Sequence, residues 1–147
     1  MKLSKMLMAF LLFLLVPSFA VAGDFDWTRD FNVRAEADPS GFRASLATRF
    51  HIGDAQVGLV LNNVQRPADA YIVLRLGEMS AKPPDYVIEQ YKAGKGKGWG
   101  VIAKNLGIKP GSQEFHALKR GSDLYDDRNA GKGKGKDKGK SKGKGKE

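Results

Sequence analysis

The chain has 147 residues, with 25 Lys and Arg against 16 Asp and Glu, two His and no Cys, for a net charge of +9. The absence of cysteine excludes both a disulfide framework and lipid attachment through an N-terminal cysteine. The charge is unevenly placed: Gly131 to Glu147, GKGKGKDKGKSKGKGKE, carries eight Lys against Asp137 and Glu147, or +6, whereas residues 23–130 carry 15 basic and 14 acidic residues, or +1. The basic character therefore belongs to a tail, and an unneutralised run of lysines implies a polyanionic partner.

In chain order, residues 1–22 have the layout of a secretory signal: Lys2 and Lys5, an apolar run of 11 residues from Met6 to Val16, a break at Pro17 and the A-x-A site Ala20-Val21-Ala22. The run is far shorter than the roughly 20 residues a membrane span needs, so cleavage after Ala22 and an exported, periplasmic or extracellular protein are expected. From Gly23 to Ala37, Phe25, Trp27, Phe31 and Val33 alternate with charges, which predicts an extended arm laid on the fold.

Asp38-Pro39 reads as a helix cap followed by proline at the first helical position. Phe42, Leu46 and Phe50 then form one helical stripe, although together with Ile52 they also share a strand's parity. Asp54 is expected to cap a helix carrying Val57, Val60, Leu61 and Val64, and Pro67 to open one whose continuous apolar run, Ala70 to Leu74, must be buried. Pro83-Pro84-Asp85 starts the next, with Val87, Ile88 and Tyr91. Trp99, Ile102, Ala103 and Leu106 repeat the helical spacing; Gly107 is the expected left-handed stop, with Ile108 packing back and Pro110 breaking the chain. Ser112 caps a last helix bearing Phe115 and Leu118, with Glu114 in its first turn, Lys119 and Arg120 in its last, and Gly121 after it.

These signals agree on an all-α fold, a small orthogonal bundle of five or six short helices over residues 38–121, preceded by the signal peptide and the arm at residues 23–37. Trp99, Ile102, Leu106, Phe115 and Leu118 are expected in its core. Residues 122–147 are expected to be a disordered tail, polar at first and then polycationic, because alternating Gly and Lys offers no apolar surface to offset the entropy of ordering.

Catalytic and cofactor chemistry find no pattern. His51 and His116 lie 65 positions apart without a second ligand at metal spacing, and no serine stands in a nucleophile elbow. Asp123, Asp126 and Asp127 do not have EF-hand spacing and read as a solvated acidic patch beside the lysine tail. The expectation is a non-enzymatic protein without metal or cofactor. The glycine-rich stretch Lys92 to Gly100, KAGKGKGWG, matches neither the P-loop nor G-x-G-x-x-G. It places Lys95 and Lys97 just before a helix start near Gly98, a possible anion site, against the simpler reading of an interhelical turn with solvated lysines.

Ile102 to Leu118, with Ala103 in the first helix and Gly107 four residues on at the turn, flanked by Leu106 and Ile108, resembles the helix-turn-helix of bacterial DNA-binding proteins, with Pro110-Gly111 lengthening the turn. Gln113 and His116 stand where that motif has apolar residues, and the only basic residues of the second helix are at its far end. The longer segment Gly96 to Lys119 resembles small exported bacterial proteins of unknown function with a GKGWGxIAKxLGIKPGSxEFHxLK-like segment; this implies export and a helical fold, and no activity. The expected function is binding of lipopolysaccharide, acidic polysaccharide or extracellular nucleic acid through Lys132, Lys134, Lys136, Lys138, Lys140, Lys142, Lys144 and Lys146. The alternative is a periplasmic protein-interaction or chaperone-like module kept soluble by the tail.

Overall fold

The computed structural model describes residues 24–125. The expected signal peptide and the eight tail lysines lie outside these residues. Within them the chain is all-α: α1 Thr28–Ala37, α2 Pro39–Phe50, α3 Asp54–Leu61, α4 Pro67–Ser80, α5 Pro84–Ala93, α6 Trp99–Asn105 and α7 Gln113–Arg120.

Most helix starts follow from local chemistry. The Asp38 Oδ1 atom accepts the Gly41 N–H at 2.9 Å, Pro39, Pro67 and Pro84 occupy first-turn positions, and the Ser112 hydroxyl accepts the Phe115 N–H at 3.3 Å. Helix α3 differs from expectation: Gly53 is its cap, and Asp54, in the first turn, pairs with Arg43 at 2.8 Å instead. After α6, Gly107 adopts φ 80° and the Ile108 N–H returns to the Ala103 carbonyl at 2.9 Å, burying Ile108.

Helix α4 is the axis of the fold. Ala68, Ala70 to Leu74, Leu76 and Gly77 are all buried, and the helix packs against α1, α3, α5 and α7. Its run of apolar residues therefore has neighbours on every side, each large side chain contributing about 1.5–3 kcal/mol by leaving water.

The expected arm is a correction. Residues 28–37 form helix α1, which buries Phe31 and Ala35 against α4, while Val33 is 63% exposed. The alternation was misleading because Phe25 and Trp27 sit in the turn before the helix, and the true stripe is Trp27, Phe31, Ala35 at four-residue spacing. This segment makes seven helices among the described residues. Residues 24–27 are tied to α7: the Phe25 N–H donates to the Lys119 carbonyl at 3.1 Å and the Trp27 Nε1–H to the Leu118 carbonyl at 3.0 Å. Phe25 holds φ 71°, unusual for an aromatic residue, with its ring among Trp27, Trp99 and Phe115 at centroid distances of 6.3–6.4 Å.

The start of the tail is also corrected. Residues 122–125, expected to be disordered, pack on the bundle: Tyr125 lies 4.9 Å from Phe31 with the Arg34 guanidinium over its ring, and Leu124 lies against the core. The helical domain thus runs at least to Tyr125.

Candidate functional site

Lys95 and Lys97 lie on the loop between α5 and α6, fully outward. The loop's glycines have structural causes. Gly94 is buried at the end of α5, where a Cβ would come within 2.6 Å of Ile102 Cγ1, and Gly96 and Gly98 hold φ 81° and 85°. The Lys97 N–H donates to the Gly94 carbonyl at 2.9 Å, so that amide belongs to the turn rather than to an incoming anion. The two ammonium groups stand in solvent on a defined turn. They are not enclosed.

Helix α6 packs on α5, and α7 on α4, with residues 106–112 between them. Ile102, Ala103 and Leu106 are buried, as are Phe115 and Leu118. Trp99, expected inside, is half-buried and stacks on Tyr91 at 5.4 Å. On the outer side of α6 lie Val101, Lys104 and Asn105, and Lys109 is exposed beyond the Gly107 reversal.

The strongest polar cluster was not legible beforehand. Arg49, at the end of α2, donates through Nε to Asp123 Oδ2 at 2.8 Å and through Nη1 and Nη2 to Glu78 Oε1 and Oε2 at 3.2 and 3.3 Å, with Nη2 also in ion-pair contact with Asp123 Oδ2 at 2.7 Å. Arg75 also binds Glu78. The Tyr71 hydroxyl donates to Asp123 Oδ1 at 2.7 Å and accepts the Asp123 N–H at 3.1 Å. Asp123 is thus no solvated patch residue; Asp126 and Asp127 lie outside the described residues. Burial pushes the Asp123 and Glu78 carboxyls up, but hydrogen bonds and charge from Arg49, with Tyr71 on Asp123 and Arg75 on Glu78, outweigh it and hold both below the usual carboxylate range. Groups held ionised in this way are ties rather than proton donors.

Asp69 is the opposite case. Burial raises its carboxyl although the Tyr91 hydroxyl donates to Oδ2 at 3.0 Å. His51, in the left-handed cap of α2, and His116, on α7, are both exposed, and among the described residues no group of three or more His, Asp or Glu could hold a metal ion. An open polar groove of about 680 Å³ lies beside α1, lined by Asp26, Arg29, Asp30, Asn32 and Arg66 among others.

The two cationic residue types occupy different parts of the chain. Residues 23–81 contain six Arg and no Lys, and residues 82–119 contain seven Lys and no Arg. Among the described residues, Arg43, Arg49 and Arg75 make ion pairs, whereas of the seven lysines Lys119 alone does, with Asp24 at 2.9 Å. No protein-family model matches the chain, and neither does any curated protein or solved structure.

Proposed function

We propose that this is an exported, non-enzymatic helical protein whose Lys/Gly tail holds it to polyanionic envelope or extracellular material. The observation that carries this reading is the charge placement: +6 on the last 17 residues, beside residues 23–130 at +1. Lysines alternating with glycine can each meet an anion independently, and a random-coil tail of this length would have an r.m.s. reach of roughly 20–25 Å. Binding would be weak per contact, multivalent and salt-sensitive, since screening shortens the Debye length from about 10 Å at 0.1 M salt to about 3 Å at 1 M.

Removing residues 131–147 should eliminate most binding to heparin, lipopolysaccharide and DNA, with an unchanged helical circular-dichroism signal and thermal midpoint. Equally tight binding by the tailless protein at the same ionic strength would refute the tail's role.

One feature favours the alternative, an exported protein-interaction or chaperone-like module with the tail as solubiliser. A largely apolar groove of about 320 Å³ runs beside α4, lined by Phe50, Ile52, Val73, Leu74 and Pro84, with the charged Glu78 and Lys82 also on its wall. Under that reading, pull-down of a protein partner from envelope fractions survives loss of the tail.

A further inference from the structure

The 24 residues from Gln90 to Gln113 contain five lysines and no carboxylate side chain. Lys92 donates to Asn63 Oδ1 at 2.6 Å and so belongs to the framework. The other four, Lys95, Lys97, Lys104 and Lys109, are exposed and make no ion pair among the described residues. The fold gathers them along α6: two on the loop before it, one on its outer side, one after the reversal that ends it. Seven helical residues rise only about 10 Å, about one Debye length at 0.1 M salt, so one linear polyanion laid along the helix can reach the positions of all four.

Resting on the polyanion-binding reading of the tail, we propose that α6 and its flanking loops form a second contact, a docking surface of the folded domain for a linear acidic polysaccharide. Three observations select this occupant. The surface is made of lysine alone, whose compact ammonium meets carboxylate or sulfate from many directions, while the planar arginine fork that grips phosphate with paired bonds is absent from residues 82–119. The Trp99 ring is stacked on Tyr91, so that face is not a platform for a nucleic-acid base. The outer side of α6 offers a single exposed large apolar residue, Val101, too little to enter a lipid layer.

The surface and the tail differ in one physical respect. Gly94 pressed on Ile102, the Lys97 to Gly94 turn bond and the left-handed Gly96 and Gly98 define the backbone under Lys95 and Lys97, and Lys104 stands on helix α6 itself. A fixed array loses less chain entropy on binding than a coil, so each of its lysines contributes more per contact than a tail lysine.

The test uses the full chain in four forms: unchanged, with the eight tail lysines replaced by serine, with Lys95, Lys97, Lys104 and Lys109 replaced by serine, and with both sets replaced. Titration with heparin and polygalacturonate at fixed ionic strength is expected to show binding by the tail variant that disappears in the doubly replaced form. In the presence of the tail, the four-lysine variant should bind about tenfold more weakly, from modest exposed-pair contributions summed over four sites. Replacing the same four lysines by arginine should preserve binding, and circular dichroism should be the same throughout. No binding by the tail variant, or full affinity in the four-lysine variant, overturns the surface and leaves the tail reading intact. Failure of the unchanged chain to bind any polyanion removes both. Tighter binding of the tail variant to duplex DNA or to anionic vesicles than to either polysaccharide overturns the assigned ligand.

Discussion

The arginine half of the domain, α1 to α4, and the lysine half, α5 to α7, use positive charge for different ends. In the first, Arg49 joins α2 to α4 and to the segment after α7, Arg75 shares Glu78, and Arg43 ties α2 to α3. In the second, four of the lysines make no ion pair among the described residues, and the polar ties are single ones: Lys119 to Asp24, Lys92 to Asn63 and Tyr91 to Asp69. The difference follows from side-chain chemistry: a planar, weakly hydrated guanidinium can serve two carboxylates at fixed angles, whereas an ammonium is a strongly hydrated point charge on a flexible stem. The charges that cross between elements are chiefly those of Arg43 and Arg49, while Lys95, Lys97, Lys104 and Lys109 face outward.

The largest effect should come from the packing of the lysine half. Phe115 is fully buried and meets Phe25 edge-on at 6.3 Å. Phe115→Ala should cost about 3–5 kcal/mol in denaturant unfolding. A loss under about 1 kcal/mol would mean that this half is not held by its apolar contacts. Next in size are reciprocal cation swaps. Arg49→Lys cannot span Asp123 and Glu78 together and should lose about 1–2 kcal/mol, as charge-assisted hydrogen bonds are given up. Lys104→Arg should stay within about 0.5 kcal/mol, as at any exposed site without a partner. Equal effects from the two swaps would dissolve the distinction between the halves.

The legible parts of the fold were those with short-range causes. Asp38-Pro39, Pro67, Pro84, Gly107 and Ser112 mark helix ends because capping and φ restriction act within a few residues. Lys95 and Lys97 were legible as exposed for the same reason. Helix α1 was not, because two aromatic residues in a turn imitated a strand's alternation and Ala35 is too small to announce a buried face. The Arg49–Asp123–Tyr71 cluster was beyond local reading, since its members stand 74 and 52 positions apart and no spacing rule links them. The same limit hid the roles of Gly94, whose cause is Ile102 on the next helix, and of Asp123, which looked like a solvated acid beside two others.

The finest test is the acid limb of stability. Asp123 and Glu78 are held below their unfolded values of about 3.9 and 4.3, so the stability they contribute is complete above those values and lost as pH falls through the depressed ones. Asp69 runs the other way: its raised carboxyl takes up a proton more readily in the folded state, so it adds stability as pH falls through its raised value. The thermal midpoint should therefore decline between pH 5 and pH 2 in the unchanged protein, less steeply in Asp123→Asn and more steeply in Asp69→Asn. Both carboxylates of the arginine cluster are partly exposed, so the slopes should shrink in high salt. The four lysines around α6 have no carboxylate partner among the described residues, and replacing them with serine should leave the shape of the acid limb as it was. Parallel profiles for Asp123→Asn and the unchanged protein would show that the Arg49 cluster does not hold the end of the domain in the way its geometry implies.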